Sequence, residues 1–203
     1  AMGEAAPEEV PIPRTKDPSI MNSAASVDQR AERFYNAALL VGKGQVAKFE
    51  DGSLWKDRDL YAKAIELWPT MAAAYGNLAL LLSADAEKIQ MSGVEWGPQQ
   101  LYVRAIELNP DIPVFYVNLS TLLGPEDKVA FQNGPTMDRT QLLLQAIQVD
   151  SKCAMAYGNL GVLLPAGSKA RLPDGSEKTK DELLAFAQSL DPKAVPAPPA
   201  PAA

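Results

Sequence analysis

Apolar and polar positions follow a pattern that returns every 41 residues along this chain. The segment Leu60–Leu67 (LYAKAIEL) reappears as Leu101–Leu108 (LYVRAIEL). Three series share the period: one begins at Leu60, Leu101, Leu142 and Leu183, one at Phe34, Tyr75, Tyr116 and Tyr157, and one consists of Gly52, Gly93, Gly134 and Gly175. Series that keep one spacing without a gap are typical of repeat proteins. We therefore predict four units, over residues 31–71, 72–112, 113–153 and 154–194.

Each unit contains two stretches with helical spacing. Tyr75, Leu78 and Leu82 would share one helix face, and Leu60 and Ala64 would share another. Capping boxes are predicted at Ser26 with Gln29 and at Thr179 with Glu182. A further helix is expected to begin at Gly97-Pro98, and Pro69, Pro110 and Pro192 are expected to end the second helices.

The connection between the two helices of a unit alternates apolar and polar residues. It ends in Asp51-Gly52, Ser92-Gly93, Asn133-Gly134 or Asp174-Gly175. Such pairs supply the positive φ of tight turns, so each connection is predicted to hold a short extended arm and a turn, in the manner of a small hairpin. The predicted fold class is all-α: a right-handed solenoid of four helix pairs with turn-like or hairpin-like insertions.

The repeat resembles the tetratricopeptide repeat family over residues 31–194. The family pattern is carried by Tyr75, Asn77, Leu78 and Ala79 in a first helix, and by Ala64 and Pro69 at the end of a second helix. The period of 41 exceeds the family's usual period of about 34, and the extra residues fall between the helices. The small residue expected early in the second helix is also missing, because those positions hold Asp57, Pro98, Arg139 and Lys180. A short or tilted second helix is therefore expected.

The resemblance implies a non-enzymatic protein-binding scaffold whose first helices line a concave face. An asparagine amide both donates and accepts hydrogen bonds, so a row of them could hold the backbone of an extended peptide or partner protein. The candidate partner-binding residues are Asn36, Asn77, Asn118, Asn159, Tyr35, Leu80, Val117, Thr121 and Val162. A competing interpretation is that these asparagines bridge or cap helices within the stack. A clamp for acidic chaperone tails is not expected, since segments 73–80 and 114–121 lack basic residues.

The amino-acid composition excludes several kinds of catalytic and metal site. The chain of 203 residues has no histidine, one cysteine and a net charge of -6. Histidine-based catalysis, an internal disulfide and a thiolate metal cage are therefore excluded, and no catalytic residue, metal or cofactor is expected. Nucleic acid is not an expected partner of such an acidic chain, and no apolar run is long enough to span a membrane. Cys153 begins a helix, which could lower its thiol pKa, although a buried spectator is the competing interpretation.

Two Pro-rich ends, residues 1–25 and 195–203, flank the predicted repeat domain of residues 26–194. Both are predicted to be disordered or polyproline-like. The start at Ala1-Met2-Gly3 fits a processed terminus as well as a cloning remnant, and both the cytoplasm and an organelle interior stay open. The alternative function is a peripheral structural subunit of a large multiprotein complex, for example an organellar (photosynthetic or respiratory) one, docked through its tails and loops.

Overall fold

The computed structural model describes residues 7–12, 27–42, 45–83 and 87–193. The chain divides into two compact units that meet in sequence at Leu108 and Asn109. The predicted capping box at Ser26, most of the N-terminal tail and the C-terminal tail lie outside the described residues.

The first unit contains two helix pairs, each interrupted by a hairpin. Its elements are β1 (Glu8–Pro11), α1 (Val27–Leu40), β2 (Gln45–Lys48), β3 (Leu54–Trp55), α2 (Asp57–Leu67), α3 (Ala72–Ser83), β4 (Ile89–Met91), β5 (Val94–Trp96) and α4 (Pro98–Leu108). Helix α1 packs on α2, α2 on α3, and α3 on α4. The buried core comes from one face of each helix, with Leu60, Leu78 and Leu101 fully inaccessible.

The second unit repeats this arrangement. Its elements are α5 (Pro113–Leu122), β6 (Lys128–Ala130), β7 (Thr136–Asp138), α6 (Arg139–Val149), α7 (Ala154–Leu163), β8 (Lys169–Arg171), β9 (Glu177–Thr179) and α8 (Lys180–Leu190). Helices pack in the order α5, α6, α7, α8, and α5 also contacts α7. Leu142, Leu160 and Leu183 form the centre of its core.

The predicted all-α solenoid is wrong, because the fold mixes helices with small β-sheets. Each connection folds as an antiparallel hairpin: β2 with β3, β4 with β5, β6 with β7, and β8 with β9. The turn chemistry explains this, since Gly52, Gly93 and Gly175 have φ angles of 82°, 77° and 85° and let the chain reverse within a few residues. A chain that reverses sharply between alternating residues satisfies its backbone groups by pairing with itself.

The second helices explain why the family's small residue is absent. Asp57, Pro98, Arg139 and Lys180 are the first residues of α2, α4, α6 and α8, each of which has 11 residues. In the last repeat the close approach comes one turn later, where a Cβ built on Gly161 would lie 3.3 Å from Cβ of Leu183. A first residue at the helix end can therefore be large or charged.

Helix boundaries follow local sequence closely. Pro98 begins α4. Thr179 and Glu182 form a capping box at the start of α8: the Thr179 hydroxyl accepts from the Glu182 backbone N–H, and the Glu182 carboxylate accepts from the Thr179 backbone N–H. A second capping box joins Asp138 and Gln141 at the start of α6. Helices α2, α4 and α8 each end two residues before the proline that was expected to end them.

The N-terminal tail contradicts the prediction of disorder at residues 8–11, because β1 adds a third strand to the first hairpin. It runs parallel to β2, with Glu8 opposite Gln45 and Pro11 opposite Lys48. The Ile12 backbone N–H donates to the Lys48 carbonyl at 3.1 Å, and Ile12 is buried. The Glu9 carboxylate lies 2.6 Å from the Lys48 ammonium. Backbone pairing and a matching charge order a segment whose composition alone favours disorder.

Candidate functional site

The asparagine of the second repeat bridges helices in the first unit. Asn77 on α3 donates from Nδ2 to the Tyr35 hydroxyl on α1 at 3.0 Å. The Tyr35 and Tyr61 rings meet edge to face with centroids 5.9 Å apart. Burial is the main reason that the pKa of Tyr61 rises to about 12, and a hydrogen bond with Asn77 opposes the rise. Asn77 therefore joins three helices, as the competing interpretation of the asparagine row predicts.

The other asparagines of the row differ in their surroundings. Asn36 on α1 is exposed, whereas Asn118 on α5 and Asn159 on α7 are half-buried. Gly76 is the residue that takes the place of Tyr35 relative to Asn118, because Asn118 follows Gly76 by 42 positions as Asn77 follows Tyr35. The bond from Asn77 to the Tyr35 hydroxyl therefore has no equivalent from Asn118 to that position. Val117, a member of the predicted binding set, is buried and contributes no surface.

An exposed apolar position recurs on the first helices. Leu80 on α3 is 56 % exposed and Val162 on α7 is 51 % exposed, and Leu39 on α1 is exposed to a similar degree. Thr121 holds this position on α5, where its hydroxyl donates to the Asn118 carbonyl at 2.7 Å. Each of these residues lies three positions after an asparagine, hence on the same helix face.

Helix α7 carries this surface most fully. Met155, Asn159 and Val162 stand at positions i, i+4 and i+7, which form one stripe along a helix. Met155 and Val162 are exposed and Asn159 is half-buried between them. An exposed apolar stripe centred on an amide can cover a partner's apolar side chains and still satisfy one of its backbone groups.

The first two hairpins each place a tryptophan on the aromatic residue that begins the matching block of a first helix. Trp55 lies 5.5 Å from Phe34, and Trp96 lies 5.9 Å from Tyr75, each measured between ring centroids. Phe34 and Tyr75 are one period apart, as are Trp55 and Trp96. These tryptophans are packing anchors between hairpin and helix, and the spacing of 41 between them was a signal in the sequence that could have shown the contact.

The acidic turn residues also have structural partners. Asp51 and Asp174 accept hydrogen bonds from the backbone N–H groups of Ser53 and Ser176, both at 2.9 Å. Hydrogen bonds from these serines hold the pKa of both carboxyls below the ordinary value. They act as turn-forming residues. Within residues 7–12, 27–42, 45–83 and 87–193, no group of three or more His, Cys, Asp or Glu side chains could hold a metal ion.

An open groove of about 380 Å³ lies within the second unit. One wall comes from Arg171, Leu172 and Pro173 at the end of β8, and the other from Met137 on β7 with Leu144 on α6 and their neighbours. Leu172 is buried, whereas Arg171 is exposed. The groove therefore combines an apolar floor with a positive charge at its edge, and periodicity in the sequence gave no signal for it.

Of the two interpretations of Cys153, the structure supports the buried spectator and not the lowered thiol pKa. Cys153 is the residue before α7, but burial raises the pKa of its thiol, and the nearby Asp150 charge adds to the rise. The thiol is protonated at neutral pH and has little access to solvent. Cys153 is thus a buried packing residue.

We expect the Cys153 thiol of the folded chain to react with iodoacetamide at pH 8 at least about tenfold more slowly than in urea-unfolded chain, because both access and thiolate fraction are reduced. Mass spectrometry of timed samples measures the two rates. Equal rates in folded and unfolded chain would contradict a buried thiol.

No helix in the described part of the chain is long and apolar enough to cross a membrane. No family model matches the chain, and no curated protein matches it significantly.

Proposed function

We propose that this chain is a tetratricopeptide-like repeat protein that binds a partner protein or an extended peptide through the exposed faces of its first helices. The observation that supports this most is the repeated exposure of an apolar residue at one helix position, held by Leu39, Leu80 and Val162. Isolated exposed apolar residues are ordinary, whereas an exposed apolar residue placed beside further exposed apolar side chains, as Val162 is beside Met155 on α7, is typical of an interaction surface.

The half-buried amides of Asn118 and Asn159 add polar groups to this surface. Asn77 is a positioning residue in the proposal, since its amide is used within the fold by Tyr35. Replacing Asn77 would disturb the packing of the helices as well as binding, so substitutions of the exposed apolar residues give the clearer test.

The test compares two double variants of the full chain. Leu80→Glu with Val162→Glu places charges on the helix faces, and Leu54→Glu with Val94→Glu places the same charges on the hairpins. The control positions match in exposure, at 52 % and 54 %. Burying one apolar side chain contributes about 1.5–3 kcal/mol, so the helix-face variant should bind its partner at least about tenfold more weakly.

Partners are first isolated with the wild-type chain by affinity purification from the source organism and identified by mass spectrometry. Each purified partner is then titrated against both variants, whose folding is checked by circular dichroism. The proposal is supported if the helix-face variant loses binding of the partner and the hairpin variant retains it. Equal binding by both, or loss with the hairpin variant alone, overturns the proposal and favours docking through the loops.

The alternative, a peripheral subunit docked through its tails, has less support. Residues 8–12 of the N-terminal tail are paired with β2 of the same chain. That part of the tail is therefore already occupied.

A further inference from the structure

The first and fourth hairpins share one construction. In the first, the Phe49 N–H donates to the Ser53 carbonyl at 3.0 Å and the Gly52 N–H donates to the Phe49 carbonyl at 2.9 Å. In the fourth, the Leu172 N–H donates to the Ser176 carbonyl at 2.8 Å and the Gly175 N–H donates to the Leu172 carbonyl at 2.9 Å. The glycines have φ angles of 82° and 85°. Lys48 and Arg171, which precede the two loops, therefore occupy equivalent positions.

Backbone geometry fixes where these two residues direct their polar groups. Opposing residues of an antiparallel pair alternate between hydrogen-bonded and non-hydrogen-bonded pairs. Phe49 and Leu172 belong to hydrogen-bonded pairs of their hairpins. Lys48 and Arg171, one residue earlier, therefore belong to non-hydrogen-bonded pairs, and their backbone N–H and C=O groups point outward, away from the other strand of the hairpin. In the first hairpin this outward carbonyl of Lys48 accepts from the Ile12 N–H of β1.

The fourth hairpin offers the same edge without a third strand. In the part of the chain that the structure describes, β8 pairs with β9 alone. It carries two exposed basic residues, Lys169 and Arg171, whereas the third hairpin has the uncharged Ala130 where β2 has Lys48. The groove bounded by Arg171, Leu172 and Pro173 lies beside the end of this strand and can take apolar side chains.

We infer that the outer edge of β8 binds an extended segment of a partner protein, acidic at its N-terminal end and apolar beyond it, which adds as a parallel strand. The segment Glu8–Ile12 is the pattern for the occupant: its carboxylate pairs with Lys48, and its Ile12 N–H bonds the outward carbonyl. On β8, Arg171 supplies both the charge and the carbonyl. This surface is separate from the helix faces proposed above, and the failure of either leaves the other standing.

The probe is a fluorescein-labelled peptide of residues 7–12, Pro-Glu-Glu-Val-Pro-Ile, titrated into the full chain at low salt and followed by fluorescence anisotropy. Arg171→Glu should weaken binding about tenfold, because an attraction becomes a repulsion. Arg171→Pro should abolish it, since the outward N–H is removed while the hairpin bonds are kept. Lys152→Glu, an equal charge change at an exposed turn after α6, is the matched control and should bind as the wild type does.

A peptide methylated on the backbone nitrogen of its isoleucine distinguishes strand addition from simple charge attraction. It should fail to bind although its charge is unchanged. Because this peptide is tested on the wild-type chain, the result is valid even where Arg171→Pro fails to fold. The inference is overturned by no binding at millimolar peptide, by equal binding of the methylated peptide, or by binding that Arg171→Glu leaves unchanged. Concentration-dependent self-association that Arg171→Glu removes would overturn it in favour of a second copy as the occupant.

Discussion

Replacing Leu78 by Ala should lower the free energy of unfolding of the first unit by about 2–5 kcal/mol. The Leu78 side chain on α3 is fully buried, at 0 % exposure, so its removal loses apolar contacts and leaves a cavity. The same substitution at Leu80, two residues along the same helix and 56 % exposed, should change stability by less than about 0.5 kcal/mol.

Urea denaturation followed by tryptophan fluorescence measures this difference. The chain has three tryptophans, Trp55, Trp68 and Trp96, and all lie in the first unit, so the signal reports that unit. The two variants have the same change in composition and helix propensity, which leaves burial as the difference between them. Equal midpoints for Leu78→Ala and Leu80→Ala would show that the buried face of α3 is misassigned. A stable Leu80→Ala would also show that folding does not depend on this exposed side chain, so that a binding defect at position 80 could not be attributed to unfolding.

Replacing Gly161 by Val should destabilise the second unit by about 1–3 kcal/mol through overpacking. Gly161 on α7 faces α8, and an added Cβ would lie 2.9 Å from Leu184 Cδ2 and 3.0 Å from its Cγ. A branched side chain adds two further carbons at this contact, where the Leu183 Cβ lies 3.3 Å from the added Cβ and leaves little room to relax.

Gly161→Ala is the graded control. Its single methyl must displace the end of Leu184, but alanine gains about 1 kcal/mol of helix propensity over glycine, so a change near zero is expected. Far-UV circular dichroism during urea unfolding follows both variants, since tryptophan does not report the second unit. If Gly161→Val were as stable as the wild type, α7 and α8 would be further apart than the structure places them.

Local sequence predicted much of the helical part of the fold. The proline after each of three second helices and the Thr179 capping box act within one helical turn, so neighbours in sequence are sufficient to determine them. The hairpin turns belong to the same class, because the positive φ at Gly52 and Gly175 depends on one residue. The error was to treat them as additions to an all-helical fold, when the strands they join form sheets.

The features that were missed depend on residues far apart in the chain. β1 was assigned to a disordered tail because residues 1–25 are poor in large apolar side chains and rich in proline, whereas its order comes from pairing with β2, which begins at Gln45. The sequence left open whether the asparagines bridge helices or face a partner, because the bond between Asn77 and Tyr35 spans 42 positions and depends on the packing of α1 on the other helices. For Cys153, the buried spectator was one of the two interpretations, and contacts distant in sequence decide in its favour over the effect of the helix start.

The strand β1 is covalently joined to the edge that it covers, and this makes it a tethered competitor. A tethered segment acts at an effective concentration on the order of millimolar, without any gain in intrinsic affinity. A free peptide of the same sequence would have to exceed that concentration to replace β1 on β2. At micromolar peptide the first hairpin therefore does not bind the peptide, and an anisotropy change reports binding at an edge that carries no tethered strand.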